Sequence, residues 1–310
     1  MLYFIVNEKS KSGNAKQIWK EIEEVLKVRN VSYQAFVSEY RGHAGKLAAE
    51  ICAMDDNDIC LVAVGGDGTA NEVINGITDF EKVRFGGIPT GSGNDLARGL
   101  SLSKDPKNGA IHILNAMKKS REDTWCMDLG EVNFGEKKRL FAISAGIGLD
   151  ALVCKKALKS TIKDILNKIR LGKLTYLVLT VQSLFTMQTA DAEIFFDREE
   201  GLQKKRMIFT AAMNFKAEGG GVPMAPAASA CDGKLSFCEA AGIPKWRTFL
   251  CLPFLVAAKH TSIHGFSVTD AKDCTIRLSR PLVVHADGEY CGEVTEVHFH
   301  CLPGKLRVLK

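Results

Sequence analysis

The chain has no Cys-x-x-Cys pair, no strong charge excess, no internal repeat, no low-complexity linker and no apolar run long enough to cross a bilayer. Each absence removes a class of protein. Its ten cysteines, at 52, 60, 126, 154, 231, 238, 251, 274, 291 and 301, lie mostly in apolar, strand-like runs. They read as buried thiols of a reducing compartment, not as a disulfide framework. The formal net charge of +5, from 41 Lys+Arg against 36 Asp+Glu, is too small to argue for nucleic acid. It suits an anionic cofactor or an anionic membrane surface. The greasiest stretch, 174–187, is interrupted by polar residues, and 249–258 is shorter still. Both fall below the roughly 20 residues of a spanning helix. The opening residues 1–8 are apolar but short and lack a basic leader, so they read as a first strand and not as a secretion signal. His298 and His300 alternate with Val297, Phe299 and Cys301, which places them on a solvated strand face and not in a zinc site.

What is present divides in two. At 310 residues the chain suits two domains. Residues 1–124 alternate strand and helix, with strands expected at 2–6, 33–37, 59–64 and 84–88 and helices at 15–28, 43–54 and about 107–119. This is the pattern of an α/β domain with a doubly wound parallel sheet. From 125 to 301 short strands follow one another, at 127–134, 139–144, 192–197, 206–213, 234–240, 274–278, 282–286 and 296–301. They predict an all-β, antiparallel sandwich, interrupted by helical inserts at 155–187 and 245–259. In the first insert Lys155, Lys156, Lys159, Lys163, Lys168, Arg170 and Lys173 precede or flank the apolar stretch. It reads either as a membrane-surface element or as a core helix with a solvated lysine face.

Two glycine loops carry the chemistry of the first domain. The apolar run 60–64 leads directly into Gly65-Gly66-Asp67-Gly68-Thr69-Ala70-Asn71-Glu72, and 70–77 reads as the following helix. Glycines let the backbone approach a ligand closely and aim N–H groups at it, and a helix start attracts anions. The natural ligand is phosphate, with Asp67 serving Mg²⁺ or the attacking group. A second strand, loop and helix start follows at Gly86-Gly87-Ile88-Pro89-Thr90-Gly91-Ser92-Gly93-Asn94-Asp95-Leu96. Ser92 offers a hydroxyl, and Asn94 and Asp95 can cap the helix that begins near Leu96. Both loops should meet at the carboxyl ends of one sheet.

The second domain carries two further acidic features. Val283-Val284-His285-Ala286-Asp287-Gly288-Glu289-Tyr290 is a hairpin signal. It reads equally as a turn with exposed acids or as the site of a general base, Glu289 or Asp287. The loop through Glu218-Gly219-Gly220-Gly221 to Asp232-Gly233-Lys234 is long enough to be functional or ion-stabilised. Asp232 there is either a hard-cation ligand or a plain turn residue.

Taken together, these segments resemble the diacylglycerol kinase catalytic-domain family in its bacterial lipid-kinase branch. The resemblance runs through Gly65–Glu72, Pro89 to Arg98, Met127-Asp128-Leu129-Gly130, Phe141 to Ala151, Asn214 with the glycine triplet, Pro226 with Asp232-Gly233, and Asp287-Gly288-Glu289. The first motif is shared with NAD kinase and 6-phosphofructokinase-like folds. The resemblance implies ATP-dependent phosphorylation of a lipid hydroxyl with Mg²⁺, the first domain holding nucleotide and the second offering the lipid. It implies nucleotide contacts at Ser12, Gly13, Ser38, Gly65, Gly66, Asp67, Gly68, Thr69, Ala70, Asn71 and Ser92. Asp67, Asp95 and Asp128 match carboxylates that organise catalytic Mg²⁺ through water. Glu289 matches the proton acceptor, with Asp287 beside it. A structural Mg²⁺ would correspond to Asp232 and the main-chain carbonyls of Ser229 and Lys234. The C-terminal segment 302–310 is expected to return to the first domain. The first loop, Asn7-Glu8-Lys9-Ser10-Lys11-Ser12-Gly13-Asn14, departs from the usual Asn-Pro-x-x-Gly-Lys, leaving Lys11 or Lys16 to supply that charge. Serine at 38 and 92 keeps the hydroxyl of the commoner threonine. The expected protein is cytoplasmic, meets a lipid substrate at the inner face of the membrane, binds no nucleic acid, has no transmembrane segment and is open to homodimer formation. The rivals are an NAD kinase-like phosphotransferase and a catalytically silent lipid-binding module.

Overall fold

The computed structural model describes residues 1–10, 15–91, 93–159, 172–197 and 200–310, with backbone alone at 158–159 and 172–177. Lys11, Ser12, Gly13, Ser92, Lys163, Lys168 and Arg170 lie outside the described residues. The chain divides into two compact units, one of Met1–Asp128 with Pro303–Lys310 and one of Leu129–Leu302.

In the first unit, β1 (Leu2–Val6), β2 (Tyr33–Val37), β3 (Ile59–Gly65) and β4 (Val83–Pro89) pair in parallel in the order β2-β1-β3-β4. Every residue of β1 and β3 is buried, which is why these runs are apolar without alternation. The edge strand β2 is half-exposed throughout. Among the described residues five helices accompany them: α1 (Ala15–Val28), α2 (His43–Cys52), α3 (Asp67–Gly76), α4 (Asp95–Gly99) and α5 (Pro106–Ala116). Trp19, Ile22 and Leu26 recur at helical spacing on α1 and pack with Phe4, Val62 and Ile113. The Phe4 and Trp19 rings sit 5.1 Å apart. Between α2 and α3 the backbones touch, since a Cβ on Gly76 would stand 2.1 Å from the Gly45 carbonyl oxygen. The last strand, β14 (Glu289–Val308), ends in this unit with Arg307 and Val308 paired in parallel to Arg84 and Phe85 of β4.

The second unit is an antiparallel β-sandwich. Its strands after β5 (Trp125–Phe134) are β6 (Lys137–Phe141), β7 (Ser144–Gly148), β8 (Ala190–Phe196), β9 (Leu202–Met207), β10 (Phe209–Met213), β11 (Leu235–Ala240), β12 (Phe266–Ala271) and β13 (Asp273–Ala286), with the first part of β14. Phe141, Phe196, Phe237 and Phe299 fill its core. A second cluster packs α6 (Leu149–Lys159), α7 (Gly172–Thr186) and α8 (Lys245–Val256) over β10 and β11.

Several expected elements change here. The single strand at 139–144 is two strands, because the N–H groups of 142–144 turn away from the ladder to a carboxylate described below. The strand at 206–213 breaks where Arg206 adopts φ 51° and Ile208 donates to Ala240. The strands at 274–278 and 282–286 are one strand with a register shift across Ser279-Arg280-Pro281, where proline has no N–H to donate. β12 was not expected: Ser267, Thr269 and Asp270 dilute its apolar signal, yet it pairs along β11. Six cysteines are buried, and Cys126 and Cys231 are exposed. Burial pushes the Cys60 and Cys291 thiols up to about 11. His298 and His300 share a face of β14 and both reach Asp273, at 3.2 and 2.7 Å.

Candidate active site

The carboxyl ends of the parallel strands are tied in a row. Ser38 N–H donates to Val6 O at 2.8 Å, Asn7 N–H to Val64 O at 3.0 Å and Thr90 N–H to Gly65 O at 2.8 Å. In-register pairing of Gly65 with Pro89 brings the two glycine loops out side by side. They touch: a Cβ on Gly91 would stand 2.7 Å from the Gly66 Cα. A side chain at either position would push the loops apart. The nucleotide-contact candidates Ser38, Gly65, Gly66, Asp67, Gly68, Thr69, Ala70 and Asn71 therefore lie along one edge of one sheet.

Asp67 is the link between the loops. Its Oδ2 accepts from Asp95 N–H at 3.1 Å and its Oδ1 from Leu96 N–H at 3.0 Å. It thus caps α4 from 28 residues away. The local expectation that Asn94 and Asp95 cap this helix is corrected. Asn94, at φ 53°, makes no cap bond, and its side chain instead clasps both backbone groups of Gly91. The Asp95 carboxylate pairs with Arg98, whose Nη2 also donates to Gly93 O at 3.0 Å. The helix after the first loop begins at Asp67, earlier than the expected residue 70, because Gly66 serves as its N-cap. Thr69 accepts at Oγ1 from Asn7 Nδ2 at 2.9 Å, and Ser10 and Thr90 share a hydroxyl bond, so the start of the first loop is joined to both glycine loops.

The three acids expected around catalytic Mg²⁺ are not equally placed. Asp67 and Asp95 are neighbours. Asp128 is buried on β5, and its Oδ1 accepts from Gly304 N–H at 2.7 Å, holding the returning chain. These are hard oxygen donors of the kind Mg²⁺ takes. They do not form a direct ligand set, since the group among the described residues with ligand atoms within 4.8 Å of one another lies elsewhere.

That group is in the second unit. Asp287 (φ 47°) and Gly288 (φ 80°) form the two-residue loop of the β13–β14 hairpin, with Ala286 opposite Glu289. The Asp287 carboxylate accepts three backbone N–H groups, from Ala142 at 2.9 Å, Ile143 at 2.8 Å and Ser144 at 3.1 Å, and its own N–H donates to Ser144 O at 2.8 Å. This geometry gives Asp287 the task of holding the turn. Glu289, next along and half-buried, starts the outgoing strand.

Behind the turn stands His285, buried, with Nε2 3.1 Å from Asp150 Oδ2 and Nδ1 accepting from Gly288 N–H at 3.2 Å. Burial alone would lower its pKa. The hydrogen bond to Asp150 and the charges of Asp150, Glu218 and Asp287 override it and hold the ring above its ordinary value. Asp150, Glu218 and His285 are the cluster of possible ligand atoms, and Ser144 Oγ donates to Glu218. A ligating histidine usually donates its other ring N–H. Here the other nitrogen faces an N–H donor, so the Asp150–His285 contact is a hydrogen bond that braces the turn. Gly146 makes room for it, because a Cβ there would stand 1.8 Å from Asp150 Oδ2. Sequence reading did not single out Asp150 and His285; the one available signal was a histidine two residues before Asp287 in an otherwise apolar run.

Of the residues expected to hold a structural cation, Asp232 and Ser229 are exposed, and Asp232 Oδ1 accepts from Lys234 N–H at 3.1 Å. That is the bond of a plain Asp-Gly turn.

Residues 1–127 match the diacylglycerol kinase catalytic domain, and residues 144–310 match the YegS C-terminal NAD kinase beta sandwich-like domain. The chain is 30% identical over 311 residues to YtlR, a candidate lipid kinase of Bacillus subtilis (strain 168), covering 99% of this chain and 98% of that one. It is 27% identical over 251 residues to a diacylglycerol kinase of the same strain, covering 79% of this chain and 75% of the other. Among solved structures, a candidate diacylglycerol kinase from Bacillus anthracis str. Sterne superposes with a TM-score of 0.77 at 22% identity, covering 99% of this chain and 96% of that one. The last likeness is one of fold.

Proposed function

This chain belongs to the diacylglycerol kinase catalytic-domain family, and we propose that it transfers the γ-phosphoryl group of ATP to a lipid hydroxyl with Mg²⁺. The observation that carries this reading is Asp67, whose carboxylate joins the two glycine loops at the carboxyl ends of a parallel sheet. Glycine loops so joined suit a preorganised polyphosphate cradle, in which backbone N–H groups can approach the ligand closely.

Each residue then has a task. Gly65 to Asn71 would hold the nucleotide phosphates, and Ser12, Gly13, Ser38 and Ser92 would supply further nucleotide contacts. Asp67 and Asp95, with Asp128, would hold Mg²⁺ through water. Bound there, Mg²⁺ would supply positive charge against the phosphates. Glu289 takes the proton of the acceptor hydroxyl as its oxygen bonds to the γ-phosphorus and the bond to ADP breaks. Asp287, clamped by three N–H groups, keeps that turn in position. Asp232, with the carbonyls of Ser229 and Lys234, would hold a structural Mg²⁺. The first unit serves nucleotide and the second serves lipid. The same reading has the protein in the cytoplasm and meeting its acceptor at the inner face of the membrane. Among the described residues no helix is long and apolar enough to cross one.

The test is a labelled-ATP screen against dispersed lipids carrying free hydroxyls, with products resolved by mobility. Label should enter an organic-soluble product and require added Mg²⁺. Label entering NAD instead would move the protein to the soluble-substrate phosphotransferases. Lipid binding without ATP consumption would make it a silent module.

A further inference from the structure

α8 buries Thr248, Cys251 and Leu255 against the second unit, as an amphipathic helix should. Its opposite face is not polar. Trp246, Phe249, Leu250, Phe254 and Val256 are between 40% and 66% exposed there. The patch continues onto α7, where Phe185 is 52% exposed and its ring lies 6.1 Å from that of Phe249. Lys245 ties the two helices by donating to the carbonyls of Phe185 and Met187. Of the thirteen large apolar side chains exposed among the described residues, seven come from these two helices. That is a contiguous patch, not the scatter found on any surface.

The chain segments that form it carry charge of one sign. No aspartate or glutamate occurs at 165–190 or 240–269, although the chain has 36 of them. Lys245, Arg247 and Lys259 stand at the two ends of α8. A second copy of the chain would present the same acid-free, basic patch and repel it. An anionic bilayer is complementary in both respects: headgroups for the cations, acyl chains for the rings. At 12 residues α8 extends about 18 Å, well short of the hydrocarbon core, so it can only lie in the interface.

We propose that the exposed face of α8, with the adjoining end of α7, is the surface by which this protein docks on an anionic lipid bilayer. The inference rests on the lipid-acceptor reading for its purpose, but its test reads binding and not turnover.

The full chain is mixed with vesicles of phosphatidylcholine alone or with phosphatidylglycerol and sedimented. Wild-type protein should bind the anionic vesicles and be released by salt. Trp246 is a built-in reporter, because Trp19 is buried and Trp125 half-buried. Its emission should shift to the blue and be quenched by brominated acyl chains, and Trp246→Phe should remove that response. The double variant Leu250→Glu/Phe254→Glu changes two exposed positions, so circular dichroism should show wild-type folding. Its vesicle binding should fall more than about tenfold. Undiminished binding by that variant, or no quenching of the wild-type protein, overturns the proposal. So does a wild-type dimer that the variant splits while vesicle binding persists. Turnover of a short-chain, dispersed acceptor should be unchanged in the variant. Wild-type protein that binds vesicles but phosphorylates no lipid would sink the kinase reading and leave the docking surface standing.

Discussion

Asp67 and Asp287 solve the same problem in two differently built units. Each is an aspartate at a glycine turn whose carboxylate collects backbone N–H groups from a distant segment. Asp67 takes two, from residues 95 and 96, and Asp287 takes three, from 142 to 144. Both bonds close a loop against its neighbour. The surroundings set the difference. Asp67 stands among glycines, beside the Asp95 carboxylate, where phosphate and cation chemistry is natural. Asp287 stands in a hairpin braced from behind by His285 and Asp150, and the proposed mechanism gives the proton transfer to the neighbouring Glu289. A carboxylate in a catalytic-looking turn can therefore be the clamp, with the proposed proton acceptor two residues on.

The largest effect expected from this contrast is at Glu289. Glu289→Gln should lower kcat by about 100- to 10,000-fold, with ATP affinity and melting temperature near wild type. Near-normal turnover there would break the division of labour outright. Asp287→Ala should do the reverse in kind. It strands three N–H groups, so a loss of about 2–4 kcal/mol in unfolding free energy is expected by denaturant titration, with activity falling alongside. A stable Asp287→Ala protein would show that the clamp is dispensable. Asp67→Asn keeps one acceptor and opposes the other N–H with an amide. It should lose about 1–2 kcal/mol of stability and about 10- to 100-fold in kcat/KM for ATP. Equal stability and ATP use at Asp67→Asn would mean that the two clamps are not alike.

The smallest effect is a pH dependence of the brace. His285 has its folded pKa raised above the unfolded value of 6.5. A group raised in this sense contributes its stability fully below the unfolded pKa and loses it as pH rises through the folded pKa. The stability difference between wild type and His285→Gln should therefore shrink as pH is taken upward from 6.5, as read by melts at a series of pH values. A difference that grows with pH would place the ring's proton elsewhere.

The two units also differ in how openly their sequences declare them. The run at 59–65 followed by glycines is a strand, a turn and a helix start whose pattern is complete within one short window, although β1 and β4 must pair with it for the strand to form. Asp67 as the cap of α4 needed contact across two loops, and local reasoning assigned that cap to Asn94 and Asp95 instead. In the sandwich the break between β6 and β7 has no local cause. It exists because Asp287, more than 140 residues away, draws the N–H groups of 142–144 out of the ladder. β12 escaped notice for a related reason, since its polar residues look like a turn until β11 pairs with them.

The amino-acid sequence by itself determined the parallel and antiparallel halves, the two glycine loops and the acidic hairpin, because period, glycine placement and turn chemistry act within a few residues of chain. Only the tertiary structure decided which aspartate is a clamp, which histidine braces the turn and which apolar helix face is left in water. Those outcomes depend on partners that strand pairing brings together from far apart, and hydrogen-bond geometry over such distances leaves no periodic trace in the chain.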